Sequence, residues 1–165
     1  MDLRVAAAAA VHALVERRET LATAESLTGG LVAATVVEIP GVSAVFRGGL
    51  VVYATDLKHS LAGVPEDLLA ARGPVDPDVA EALAQGARQR CGADWGVATT
   101  GVAGPEPQDG KPVGLVYVAV AGPPGSAVQE LRLKGSREQV RIESVSMVLN
   151  LLVDSLPALP ARARV

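Results

Sequence analysis

With 165 residues, the chain has room for a single domain with a substantial core, so neither a metal nor a disulfide staple is required. Apolar residues make up 49% of it but aromatic ones only 2%, which leaves Ala, Val and Leu to fill the core. A net charge of −3 excludes a general nucleic-acid binder, which needs a basic surface to neutralise phosphates, although a pocket with a few donors can still hold a small anion.

Residues 2–18 are predicted to form a helix, with Val5, Ala8, Ala9, His12 and Val15 near one face. A short strand over 20–24 and a turn, Glu25-Ser26-Leu27-Thr28-Gly29-Gly30, precede a helix over about 30–38, which stops at Ile39-Pro40-Gly41. Residues 49–54 read as a strand buried on both faces, because Leu50, Val51, Val52 and Tyr53 form a nearly continuous apolar run. Helices are expected over 55–62 and 66–72, the second opened by Pro65, and from an Asp76 N-cap with Pro77 in the first turn to about Arg90. A strand over 94–100 leads into a Gly/Pro-rich loop, 101–112. Strands over 114–121 and 127–134 flank a Gly122-Pro123-Pro124-Gly125 turn, the pattern of an antiparallel hairpin. A last helix runs over 136–156 with Ser136 as N-cap, and the tail 157–165 is expected to fray. Strands separated by helices, with one late hairpin, imply an α/β fold: a single three-layer α/β/α domain around a mixed sheet, spanning 1–165.

Cys91 is the only cysteine, so an internal disulfide and a multi-cysteine zinc site are excluded; it reads as a buried small residue at a helix end. A single cysteine fits a reducing compartment, and the Ala-rich start lacks the pattern of a secretory signal, so a cytoplasmic location is expected. No apolar run approaches the roughly 20 residues that span a bilayer, so a membrane partner is not expected. The apolar composition favours self-association, and a homo-oligomer is expected.

The unusual residues sit at strand ends, where α/β sheets place their ligands. Ser26, between a strand and a helix start, reads either as an ordinary N-cap or as a nucleophile beside N–H groups of Thr28, Gly29 and Gly30 that can meet an oxyanion. The segment is neither a Gly-x-Ser-x-Gly elbow nor a P-loop. Of two histidines, His12 reads as structural and His59 as an exposed helix residue, so a Ser-His-Asp triad is poorly supplied. Only three lysines exist, Lys58, Lys111 and Lys134; Lys58 follows the strand ending at Tyr53 and is either a solvated helix residue or a base with a lowered pKa near Ser26. No Gly-x-Gly-x-x-Gly occurs, which disfavours a nicotinamide-dependent oxidoreductase. After the next strand, Thr100, Gly101 and Gly104 allow close backbone approach, with Thr100 able to donate to a phosphate or orient a water; the alternative is a plain loop. Arg137 and Arg141 open the last helix as a cationic site suited to phosphate, or as plain surface charge. No metal-ligating cluster is apparent.

Taken together, five ordered segments resemble one family. Thr23-Ala24-Glu25-Ser26-Leu27-Thr28-Gly29-Gly30 is similar to its A-E-S-C-T-G-G motif, and Phe46-Arg47-Gly48-Gly49 through Tyr53 to Lys58 to its F-x-x-G-x-x-x-Y-x-x-x-x-K stretch. Thr100-Gly101-Val102-Ala103-Gly104-Pro105, Lys111-Pro112-Val113-Gly114 and Gly135 to Arg141 resemble T/S-G-I-A-G-P, K-P-V-G and G-D-R-x-x-V-R. These are marks of the CinA C-terminal domain family, also known as nicotinamide-nucleotide amidohydrolases, and they cover nearly the whole chain. The resemblance implies conversion of nicotinamide mononucleotide to nicotinic acid mononucleotide and ammonia, without a cofactor. It implies Ser26 as nucleophile, Lys58 as its base, Tyr53 and Thr100 assisting, and an arginine, Arg137 or Arg141, binding substrate. Leu27 stands for the usual Cys, Asp76 for a frequent Ser, Ser136 for Asp and Leu115 for Thr; none removes a residue implied in catalysis. Some members carry an N-terminal partner domain, and the chain resembles the stand-alone form. A nucleotide-binding module without hydrolysis and a hydrolase of another carboxamide or a phosphate ester are the rival readings.

Overall fold

The elements in chain order are α1 (Leu3–Arg17), β1 (Leu21–Glu25), α2 (Leu31–Val37), a 3-10 turn (Val42–Ala44), β2 (Phe46–Val51), α3 (Thr55–Ser60), α4 (Glu66–Arg72), α5 (Pro77–Cys91), β3 (Trp95–Gly101), β4 (Leu115–Gly122), β5 (Gly125–Arg132) and α6 (Arg137–Ser155). They are seen in a computed structural model that describes residues 2–161. The end of the expected frayed tail, 162–165, lies outside the described residues; 157–161 form no regular element. One sheet has the strand order β2-β1-β3-β4-β5. Its first three strands run parallel, and β3-β4 and β4-β5 pair antiparallel, so the mixed sheet and the late hairpin are as expected.

Side chains alternate across each strand, and here both faces are covered. Leu21, Trp95, Val97, Val116, Val118 and Val120 pack with α1, α2 and α6 in one core. Ala22, Ala24, Ala98, Tyr117 and Ala119 pack with α4 and α5 in the other. The central strands β1, β3 and β4 are therefore buried almost throughout. The one Trp, fully buried, donates its indole N–H to Glu19. Helix starts follow the local chemistry: Asp76 Oδ1 accepts from the N–H of Asp78 and Val79, and Ser136 forms a capping box with Gln139.

Four expectations need correction. β2 begins at Phe46 and ends at Val51, and it alternates between half-buried and exposed because it is an edge strand rather than a fully covered one. Glycines hid its start: at Gly49 an added Cβ would stand 2.2 Å from Thr23 Oγ1, so a side chain there would have to displace the Thr23 hydroxyl where β2 lies against β1. On α1 the buried stripe is Ala6, Ala7, Ala10, Val11 and Leu14, whereas Val5 (66% exposed), Val15 (42%) and His12 face outward. An Ala-rich helix is apolar nearly all round, so its periodicity does not single out a face. Cys91 is half-buried rather than buried, since it ends α5 at the surface, where its carbonyl accepts from Arg47 Nε.

Candidate active site

β1 and β3 are parallel neighbours whose last matched pair is Glu25 with Thr99. Ala22, Ala24 and Ala98 point into the α4/α5 side, so one step of alternation sends Ser26 and Thr100 to that side, at adjacent strand ends. The Ser26 N–H donates to the Thr99 carbonyl at 3.0 Å, which prolongs the pairing into the turn. Glu25 and Thr99 point to the opposite side.

Lys58 comes to the same place from α3, just beyond the β2 edge. It is 1% exposed. Its Nζ donates to Ser26 Oγ at 2.9 Å, to the Val52 carbonyl at 2.7 Å and to the Tyr53 carbonyl at 3.1 Å. Three acceptors match the three N–H groups of an ammonium. Burial opposes that charge and pulls the amine from its ordinary 10.5 down to about 8. When the proton leaves, two N–H groups can stay on the two carbonyls, and the lone pair then faces the Ser26 hydroxyl. His59, the next residue, is half-exposed and turns its Nδ1 to the Val64 carbonyl at 2.7 Å, outside this constellation.

The turn after Ser26 is held by a residue that sequence reading did not single out. Glu25 is 1% exposed. Its carboxylate accepts from Thr28 Oγ1 at 2.6 Å and from the N–H groups of Val32 at 2.8 Å and Ala33 at 3.1 Å. It thus caps α2, whose N-cap residue, Gly30, has no side chain to do so. With its proton on Glu25, Thr28 must accept from the Thr99 hydroxyl, 2.8 Å away. The only sequence signal for this was a carboxylate seven residues before α2's first free donors. On the outer side of the turn, Arg141 donates from Nε to the Leu27 carbonyl at 2.9 Å and from an Nη to the Thr28 carbonyl at 3.2 Å.

This wiring decides which backbone donors stay free. Gly29 N–H is used by the Ser26 carbonyl at 3.0 Å, and Val32 and Ala33 serve Glu25. Among the described residues no acceptor meets the N–H of Leu27 or Thr28, both buried and immediately after Ser26. The same holds for Ala103 and Gly104 in the loop after β3. Gly104 has φ +89°, and a Cβ there would meet Val113 Cγ1 at 2.6 Å, so this loop closes on itself only with glycine.

A cleft with about 580 Å³ of open space, its mouth included, is lined by Ser26, Leu27, Tyr53, Lys58, Thr100, Gly101, Gly104 and Arg137, among others. Most of the sequence-derived site residues therefore meet. Thr28, Gly29, Gly30 and Arg141 lie behind the wall and shape it through the turn. Arg137 stands at the mouth, donating to the Gly104 carbonyl at 2.6 Å and to the hydroxyl of Tyr53, a residue 61% exposed, at 3.3 Å. The Thr100 hydroxyl donates to the Pro74 carbonyl at 2.6 Å. Pro74, Val75, Glu106 and Gln108 add to the lining; they come from loops whose approach the sequence does not reveal. No group of three or more His, Cys, Asp or Glu side chains able to hold a metal occurs among the described residues. None of the described helices is long and apolar enough to cross a membrane.

The family described as the CinA C-terminal domain matches residues 4–156. A CinA-like protein of Frankia casuarinae is 51% identical over 147 residues, covering 89% of this chain and 34% of the relative. One of Anaeromyxobacter sp. is 48% identical over 145 residues, covering 86% and 35%. The chain thus spans about a third of the length of the curated relatives it matches. Among solved structures, competence/damage inducible protein CihA from Agrobacterium tumefaciens superposes with a TM-score of 0.89 at 35% identity, covering 93% of this chain and 95% of that one. A CinA-superfamily protein from Escherichia coli gives 0.91 at 28% identity, covering 94% and 91%.

Proposed function

Because this chain belongs to the CinA C-terminal domain family, we propose that it is a cytoplasmic amidohydrolase that deamidates nicotinamide mononucleotide through Ser26 and Lys58. The observation that carries the reading is the buried contact of 2.9 Å between Lys58 Nζ and Ser26 Oγ. A serine alone is a weak nucleophile, and an adjacent amine of lowered pKa is one of the few groups able to activate it.

In this reading neutral Lys58 takes the Ser26 proton as Oγ bonds to the carboxamide carbon. Negative charge grows on the carbonyl oxygen, where the free N–H of Leu27, in the cleft wall beside Ser26, receives it; such a donor is worth about 3 kcal/mol in the transition state. The C–N bond then breaks, and the nitrogen takes the Lys58 proton to leave as ammonia. Water next gives a proton to Lys58 and its oxygen to the acyl carbon. The Ser26 ester bond breaks, and Ser26 regains its proton from Lys58. Arg137 and the donors of Ala103 and Gly104 suit the anionic end of the substrate. Glu25 and Arg141 hold the turn without touching substrate.

The test is ammonia release from nicotinamide mononucleotide, with free nicotinamide and intact NAD as comparisons. Release from the mononucleotide above both others is expected. Tight binding of the mononucleotide without ammonia would replace the reading with a regulatory module, and release from other carboxamides alone would reassign the substrate.

A further inference from the structure

We propose that Thr100 acts in the cleft only as a hydrogen-bond acceptor, and so selects substrates whose scissile group carries an N–H: primary carboxamides rather than esters or acids. The inference rests on the amidohydrolase reading and adds to it the origin of leaving-group specificity.

A hydroxyl has one proton and two lone pairs. In Thr100, 1% exposed, the proton is committed to the Pro74 carbonyl at 2.6 Å. Among the described residues no other donor reaches that carbonyl, so turning the hydroxyl away would strand a polar group beside the cleft. No donor reaches Thr100 Oγ1 either, although the residue lines the cleft. Its lone pairs are therefore left for whatever enters. Thr100 stands beside Ser26 on the same face of paired strands, which lie about 4.8 Å apart. A group whose carbon meets Ser26 Oγ and whose oxygen points to the Leu27 donor can turn its third substituent toward Thr100. A carboxamide offers an N–H there. An ester or a carboxylate offers only lone pairs, which repel. A phosphate is turned away for the same reason, which removes the earlier option of Thr100 as a phosphate donor and leaves that end of the substrate to Arg137.

The contact also serves the chemistry. With one N–H held by Thr100, the nitrogen's emerging lone pair is free for the Lys58 proton as the C–N bond breaks. When water takes ammonia's place, one of its hydrogens can be accepted in the same way while the other goes to Lys58.

The experiment compares kcat/KM for nicotinamide mononucleotide with that for the methyl ester of nicotinic acid mononucleotide. Thr100→Val is expected to lower the amide-over-ester preference about 10- to 100-fold, the range for removing one partner of a buried hydrogen bond, and Thr100→Ser to restore it. Equal losses on both substrates would overturn the proposal while leaving the amidohydrolase reading intact. A wild-type protein inert on the amide would remove that reading and this inference with it. Should Thr100→Val fail to fold, calorimetry on Ser26→Ala decides: the amide mononucleotide is expected to bind at least about 10-fold tighter than the acid. Equal or reversed affinities would overturn it.

Discussion

Replacing Lys58 with Met is expected to change how folding stability depends on pH. The amine is held at about 8 instead of 10.5 because burial penalises its charge. Below about pH 8, folded and unfolded chains both hold the proton, and the fold bears the whole penalty, about 3 kcal/mol. Between about 8 and 10.5 the unfolded chain binds more protons than the folded one, so stability from this group rises with pH. Met fills similar volume and does not titrate. Its variant also strands the Val52 and Tyr53 carbonyls, but that loss does not depend on pH. Urea unfolding of both proteins should show the stability of the variant relative to wild type falling by about 3 kcal/mol between about pH 7 and pH 10.5. A relative stability that stays flat across that range would refute the argument that Lys58 is desolvated.

The same amine sets the pH dependence of turnover: kcat/KM should climb with an apparent pKa near about 8 and level off above it, as the neutral base becomes populated. Glu25→Gln puts an amide N–H₂ against one of the α2 donors and should lower unfolding free energy by about 2 kcal/mol, read by chemical denaturation. Arg137→Ala should raise KM for the mononucleotide with a smaller change in kcat, whereas Arg141→Ala, which frees the turn carrying Ser26, should lower kcat in steady-state assays.

Much of the fold was legible because the central strands and helix caps speak locally. The Asp76-Pro77 start of α5 and the Ser136 start of α6 are sequence signals with a single physical meaning. The Gly122–Gly125 turn likewise leaves the chain little choice but a hairpin. What stayed hidden depends on partners distant in sequence. The inward face of α1 is chosen by α2 and α6, not by its own Ala-rich pattern. The course of β2 is chosen by contact of Gly49 with Thr23. Ser26 and Lys58 could be singled out by residue type, but their union depends on strand alternation and on where α3 docks. Arg137 and Arg141 are one helical turn apart and chemically alike, so only the fold separates the one at the cleft mouth from the one behind the turn. Glu25 escaped notice because its donors belong to the following helix.

Ammonia release from nicotinamide mononucleotide by wild type, Ser26→Ala, Lys58→Met and the double variant tests the nucleophile–base pair as a unit. Each single variant is expected to fall to one common floor, about 1,000-fold or more below wild type, with the double variant no lower, because groups acting in one step are not additive. Substantial turnover in folded Ser26→Ala, or losses that multiply in the double variant, would contradict a hydroxyl and an amine working together.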